Sequence, residues 1–392
     1  MDLDLLDGTF YSDDPYPTYA WLRENQPVYW DETNELWGVS RYDDIEFIEK
    51  HAELFINSDQ TKGGYRPNIP ADPAMIGLDD PLHRSRRNLV ARRFTPRAVG
   101  DWEPDVRATV TRLFDGVEAN GGRAEIIADL AAPLPAEMIG KLLGFEPEAT
   151  ADLQSWSERT ITLGGGPRYF EDDGMIAAME FAQASADLHA EKLRCPAGDV
   201  MTLWTRAEFD GCPMPVETVI ADSLLLLDGG AETTRTVIAR ALLAFVRFHE
   251  QWDVLRGGAD LEIATEELIR FVTPIHNMCR VATQDIELGG EKVRAGDQVV
   301  LMYGSANRDP AHFTDPERLD VTRYPNRHIA FGFGTHFCLG ASLARLEIRV
   351  FLEELVRRVT GMRMVPDTAI EEMPNAFVYG LKAAHLDFDF AS

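Results

Sequence analysis

Cys338 stands in "FGFGTHFCLG", between Gly334 and Gly340 and just ahead of the amphipathic run "ASLARLEIRVFLEELVRR". That run predicts a helix, which puts the thiol at a helix N-terminus. There the macrodipole and unpaired amides favour an anion and lower a thiol's pKa below its free value of about 8.5. A thiolate so placed can attack a substrate, with His336 as a nearby base, or it can bind a metal. The spacing leaves both chemistries open. The flanking glycines let the backbone wrap tightly around whatever the sulfur faces.

Three further groups are worth chemical attention. "LLLLDGGAETTRTVIARALLAF" carries Gly229 and Gly230 inside a helical pattern, where each glycine costs about 1 kcal/mol against alanine. Missing side chains there let a flat ligand lie against the backbone, and Thr233 can divert a carbonyl one turn earlier, so the segment predicts a groove. Glu267 and Arg270 share one helix face at i and i+3. His83 and Arg87, in "DDPLHRSRRNLVARRFTP", lie four apart and point the same way. The same stretch holds Arg84, Arg86, Arg92 and Arg93. With Arg345 and Arg349 they form a basic cluster that suits either an acidic protein partner or plain solvation.

The run Phe331-x-x-Gly334-x-x-x-Cys338-x-Gly340 resembles the haem-ligand signature of the cytochrome P-450 family. Gly229-Gly230-Ala231-Glu232-Thr233-Thr234 is similar to that family's oxygen-activation motif, Glu267-x-x-Arg270 to its E-x-x-R pair, and His83-x-x-x-Arg87 to its H-x-x-x-R pair. The motifs fall in the family's order, and the likeness runs from the first helix to the final residues. It implies a mainly α fold, a helical bundle around haem with small β-sheets, built as one domain over residues 1–392.

The resemblance also implies roles. Haem b, iron protoporphyrin IX, would be the cofactor, with Cys338 as the thiolate on its iron. Thiolate donation favours O–O cleavage. Gly334 and Gly340 would let amides approach the sulfur, and Phe331 would pack near it. His83, Arg87, Arg280 and His336 would bind the propionates, where a guanidinium fork suits a carboxylate. Glu232 and Thr233 would relay protons to bound O2. Glu267 and Arg270 would be structural, joined by a later arginine, for which Arg323 competes with Arg318. The implied reaction inserts one atom of O2 into a C–H bond of an apolar substrate. Its electrons would come from a ferredoxin and an NAD(P)H-dependent ferredoxin reductase.

More narrowly, "LDGTFY", "LAAPLPAEMIG", "NMCRV", "FGFGTHFCLG" and "PNAFVYGL" look like actinobacterial members that hydroxylate the terminal side-chain carbon of cholesterol and cholest-4-en-3-one. By the same carry-over, substrate contacts come from Tyr65 to Ile76, Leu225 to Gly229, Ile275 to Met278 and Asn375 to Val378. Ile76, Leu226, Gly229, Met278 and Phe377 are the residues singled out. These stretches are mostly apolar, which suits a sterol or branched lipid. They do not separate a sterol from a terpene, a macrolide or a fatty acid. Rival readings are a peroxide-driven haem-thiolate enzyme, a haem-based lipid sensor and a cysteine hydrolase acting through Cys338.

The whole chain sets the frame. Of 392 residues, 45% are hydrophobic and 26% charged, enough apolar material for a large core. A net charge of −27 repels nucleic acid and anionic membranes. The N-terminal stretch lacks the features of a secretory signal. The interior apolar run Ser223 to Leu227, bracketed by Asp222 and Asp228, is far short of the roughly 20 residues of a span. No membrane anchor and a cytoplasmic location are therefore expected. Cys195, Cys212, Cys279 and Cys338 are too scattered for zinc spacings and fit a reducing compartment.

Helical periodicity dominates. Helices are expected at Tyr16 to Asn25, Asp80 to Arg93, Asp101 to Val117, Leu130 to Leu143, Met175 to Leu193, Pro215 to His249 and Leu261 to Phe271. "PVYW" and "LWGVS" read as a hairpin, and "RVATQDIELGGEKVRAGDQVVLMY" as a small sheet turning at Gly289-Gly290. Asn57 to Asp79 reads as a long functional loop, and Gly164 to Gly166 as a helix–helix loop.

Overall fold

The apolar residues at three- and four-residue spacing become long helices around one very long one. The computed structural model describes residues 2–59, 61, 63–70, 73–209 and 211–391. Helix Val216–Arg247 is buried along most of its length, from Val219 to Phe245. Packed on it are helices Pro133–Leu143, Thr150–Thr160, Asp172–Arg194, Leu261–Val272 and Ala341–Arg358. Its second half shares a core with the cysteine helix through Ile238, Leu242, Leu346 and Phe351. Its first half shares another with Phe94, Ile139, Phe181 and Trp204.

A five-stranded sheet stands at one side, in the order Val28–Asp31, Leu36–Val39, Gln298–Met302, Asn277–Ala282, Phe55–Ile56. The first pair is the expected hairpin, closed by Asp31 Oδ1 accepting from the Thr33 and Asn34 amides. The Gly289-Gly290 turn, with φ of 56° and 89°, joins Ile286–Leu288 to Glu291–Val293 as expected. The Asn277–Ala282 strand matters most, because it presents Met278 and Arg280.

Departures from expectation have local causes. The long helix ends at Arg247, where Phe248 takes φ −112° and ψ 61° and a new helix, His249–Arg256, begins. The helix expected from Leu130 starts at Pro133, after a π-helical turn over Ile127–Ala131. Helix Thr150–Thr160 was not anticipated; its buried positions are only Leu153, Ser157 and Thr160. Residues 60, 62, 71 and 72 of the long loop, the last two within the expected substrate stretch, lie outside the described residues. Among the described residues no helix is long and apolar enough to cross a membrane.

Candidate functional site

The cysteine loop is closed by its own backbone: the Cys338 amide donates to the Phe331 carbonyl at 2.9 Å. Gly334 has φ +66°, and a Cβ there would sit 2.4 Å from the Glu49 carbonyl oxygen. It is needed for a left-handed turn pressed on helix Tyr42–Lys50. Gly340 caps the cysteine helix, and the Gly340 and Ala341 amides both donate to the thiol. The expected lowering of the thiol pKa does not appear, because burial outweighs these amides and the charges of Arg87 and Arg345, and holds it above its ordinary value. A metal cation at the sulfur inverts that balance. Phe331 packs under Arg345, 4.6 Å from guanidinium to ring centre.

Cys338 faces a cavity of about 530 Å³ that reaches to the long helix. All five expected substrate contacts line it: Ile76, Leu226, Gly229, Met278 and Phe377. At Gly229 an added Cβ would meet nothing within 4 Å, so the groove is real there. At Gly230 it would meet Ile139 at 2.9 Å; this glycine serves helix packing. Thr233 lines the cavity and donates to the Gly229 carbonyl at 2.8 Å, the expected diversion, yet the helix runs unbroken.

Glu232 does not line the cavity. It is buried, 3.0 Å from Arg235 and 3.2 Å from the Ser157 hydroxyl, with Oε2 left without a partner. Burial raises its carboxyl above the ordinary range despite Arg235. Arg235 reaches on to Glu158, whose side chain is 43% exposed. These groups form a charged chain from solvent to the helix beside Thr233.

One end of the cavity gathers His83, Arg87, Arg280 and His336. The His83 and His336 rings lie 4.1 Å apart. His336 Nε2 is buried without a partner, and burial with Arg280 pushes its pKa down to about 2. Arg87 donates to the Phe337 carbonyl at 2.5 Å and has no carboxylate partner among the described residues. Buried donors short of anions are what a group with carboxylates would satisfy. Together with the sulfur opposite Gly229, this donor set fits haem. Arg280 has one partner that the sequence did not reveal, Glu49, at 3.2 Å; Glu49 also accepts from the Tyr303 hydroxyl at 2.6 Å.

The scaffold pair is as expected and tighter. Arg270 donates to both Glu267 oxygens at 2.7 and 2.8 Å, and both side chains have no exposed surface. Arg323 joins at 3.0 Å, whereas Arg318 offers only its carbonyl oxygen, which resolves their competition. The basic cluster is smaller than expected. Arg86 is buried and paired with Asp222, Arg84 binds Asp80, Arg345 binds Glu266, and Arg349 binds Glu103 and Glu353.

Two clamps tie the last hairpin to the long helix. Arg235 donates to the Leu381 carbonyl at 3.1 Å; Arg240 donates to the Tyr379 and Gly380 carbonyls at 2.6 and 3.0 Å and stacks on the Tyr379 ring. Sequence reasoning also missed Gly164, where a Cβ would sit 2.5 Å from the Phe377 ring, and the cavity-lining acids Asp228 and Glu347. The only signal for them was an acid inside an otherwise apolar or amphipathic helix pattern.

Comparison with known proteins agrees with this geometry. The family model for cytochrome P-450 matches residues 261–384. The steroid C26-monooxygenase of Mycobacterium tuberculosis is 39% identical over 99% of this chain and 97% of its own. The methyl-branched lipid omega-hydroxylase of Mycobacterium bovis is 35% identical over 97% of this chain and 91% of its own. The structure of CYP109E1 from Bacillus megaterium in complex with testosterone superposes with a TM-score of 0.88 at 30% identity, covering 97% of this chain and 99% of its own. Similarity along the whole length, with a cysteine facing an apolar cavity, makes this chain a monooxygenase of the cytochrome P-450 family, whose cofactor is haem held by a cysteine thiolate.

Proposed function

We propose that the enzyme hydroxylates the terminal carbon of a sterol side chain, with cholesterol or cholest-4-en-3-one as substrate. The carrying observation is the cavity, whose wall between Ile76, Leu226, Met278 and Phe377 is hydrocarbon and whose far side holds Cys338. Such a wall gains free energy only from apolar surface. The relatives' names, a steroid C26-monooxygenase and a methyl-branched lipid omega-hydroxylase, support the class of substrate and the terminal position.

In this reading Cys338 binds the iron of haem b, and His83, Arg87, Arg280 and His336 hold its carboxylates. Bound there, haem supplies the activation of O2. The chain's own residues do the rest. The Gly340 and Ala341 amides hold the sulfur in place. Thr233 keeps a hydroxyl proton at the cavity wall beside Gly229. Glu232, its carboxyl raised by burial, is the acid that gives a proton toward Thr233, and Arg235, which keeps its own charge, holds it in line with the solvent-facing Glu158. Glu267, Arg270 and Arg323 keep the segment before the cysteine loop in register and do no chemistry.

Electrons would arrive from a ferredoxin and its NAD(P)H-dependent reductase in the cytoplasm. Arg92 and Arg93, on the turn packed against the cysteine helix, are the arginines of the basic cluster left for an acidic donor. The test is turnover of cholest-4-en-3-one with NADH, ferredoxin and reductase under isotopically labelled O2. One labelled oxygen at the side-chain terminus is expected. Product formed only with hydrogen peroxide would replace the donor-driven reading, and binding without any product would favour a lipid sensor. A Cys338→Ser protein with an unaltered reduced carbon-monoxide spectrum would overturn the ligand assignment.

A further inference from the structure

The cavity wall carries an acid that the proton route leaves unused. Asp228 sits just before Gly229 on the cavity face of the long helix, and its accessible surface belongs to the cavity. Burial from bulk water pushes its carboxyl up to about 8; Thr160 opposes the rise, Glu232 one turn along adds to it, and Arg66 opposes it.

The contacts of Thr160 show how the acid is held. Thr160 Oγ1 lies 2.7 Å from the Trp156 carbonyl oxygen and 2.7 Å from Asp228 Oδ1. A hydroxyl owns one proton, and a carbonyl oxygen only accepts. Thr160 therefore shares its one proton between the Trp156 carbonyl and Asp228 Oδ1. Asp228 accepts through Oδ1 and leaves Oδ2 for the cavity, with no donor from the described residues on it. A hydrocarbon against that oxygen leaves it unsatisfied, whereas a hydroxyl satisfies it whether or not the acid carries its proton.

We infer that Asp228, held by Thr160, is a hydrogen-bond anchor for a hydroxyl carried by the substrate near its reacting end. Position along the helix sets the location. Five residues separate Asp228 from Thr233, about 7.5 Å of helix axis. The anchored hydroxyl thus belongs to the side chain of the substrate, not to the distant end of a sterol nucleus. The inference rests on the apolar-substrate reading above and adds to it: within that class, a branched lipid or sterol whose chain already carries a hydroxyl is held more tightly than cholesterol or cholest-4-en-3-one.

The test is titration of the holoenzyme, read by the absorbance change on binding, with two matched pairs. One is 22-hydroxycholesterol against cholesterol; the other is 3,7-dimethyloctan-1-ol against 2,6-dimethyloctane. The hydroxylated member should bind about tenfold tighter in the natural protein. The ratio should fall to about one in Asp228→Val. It should persist in Asp228→Asn, whose carbonyl accepts from Thr160 and whose amide donates to the substrate hydroxyl. A ratio near one in the natural protein, its survival in Asp228→Val, or its loss in Asp228→Asn overturns the proposal. If Asp228→Val does not fold, the natural protein and Asp228→Asn decide. Binding by the small pair alone would sink the sterol reading without touching this one, which then stands or falls on that pair's ratio.

Discussion

Arg323 and Arg318 lie five residues apart in the segment before the cysteine loop, and the structure assigns them opposite weights. Arg323 Nε donates to Glu267 at 3.0 Å and its NH1 to the Thr314 carbonyl at 2.7 Å. Arg318 contributes a backbone oxygen that alanine would keep. Hydrogen bonds to charged groups are worth about 1.5–3 kcal/mol. Removing Arg323 still leaves Glu267 with Arg270, Asn326 and the Asp320 amide. The cost of Arg323→Ala should therefore be about 2–3 kcal/mol, while Arg318→Ala stays within about 0.5 kcal/mol. Glu267→Ala strands the Arg270 cation at zero exposure, which should cost more, about 3–5 kcal/mol. Urea unfolding of the holoenzyme at constant m, followed by circular dichroism and pigment absorbance, reads all three. Equal losses for the two arginines, or a smaller loss for Glu267→Ala than for Arg323→Ala, would refute the reasoning.

Thr233→Ala should keep substrate binding but lower product formed per NADH consumed by about tenfold or more, since the cavity-wall hydroxyl is gone; an unchanged yield would remove Thr233 from proton delivery. Gly164→Leu drives a side chain into the Phe377 ring and the cavity, so sterol affinity should drop about tenfold while 3,7-dimethyloctan-1-ol binding changes little, as equilibrium titration would reveal. Asp228 gives a pH signature. Its ordinary value of 3.8 is raised to about 8, so between those limits the unfolded chain is ionised there while the folded one keeps the proton. Stability then falls as pH rises through that window, by at most about 1.4 kcal/mol per unit. Asp228→Asn removes this dependence, so its stability relative to the natural protein should grow from pH 4 to pH 8; a constant difference across that range would contradict a protonated acid.

The residues that were legible in the sequence are those whose role is written within a few positions. The cysteine loop needs its glycines next to the thiol, the Thr233 diversion needs only the turn before it, and Glu267 meets Arg270 on one helix. Destinations set by distant partners were not legible. Arg86 looked like surface because Asp222, its counter-ion, lies 136 residues away. Gly230 lines the cavity as read, but nothing local reveals its second task, leaving room for Ile139. The helix bearing Thr160 buries few apolar side chains, so its periodicity is faint, and without it Asp228 looked only like the polar end of an apolar run. The cysteine's pKa was misjudged for a related reason: helix-end amides are local, but desolvation is a property of the finished core.

The arginine clamps on the final hairpin bear on how a bulky molecule gets in. Parting Tyr379, Gly380 and Leu381 from the long helix would break three cation-to-carbonyl bonds, each worth about 1.5–3 kcal/mol. That side of the chamber behaves as a fixed wall. Phe170 and Met175 line the same cavity while 47% and 46% exposed, so apolar side chains reach from solvent to the chamber and offer a waxy guest contact before it leaves water.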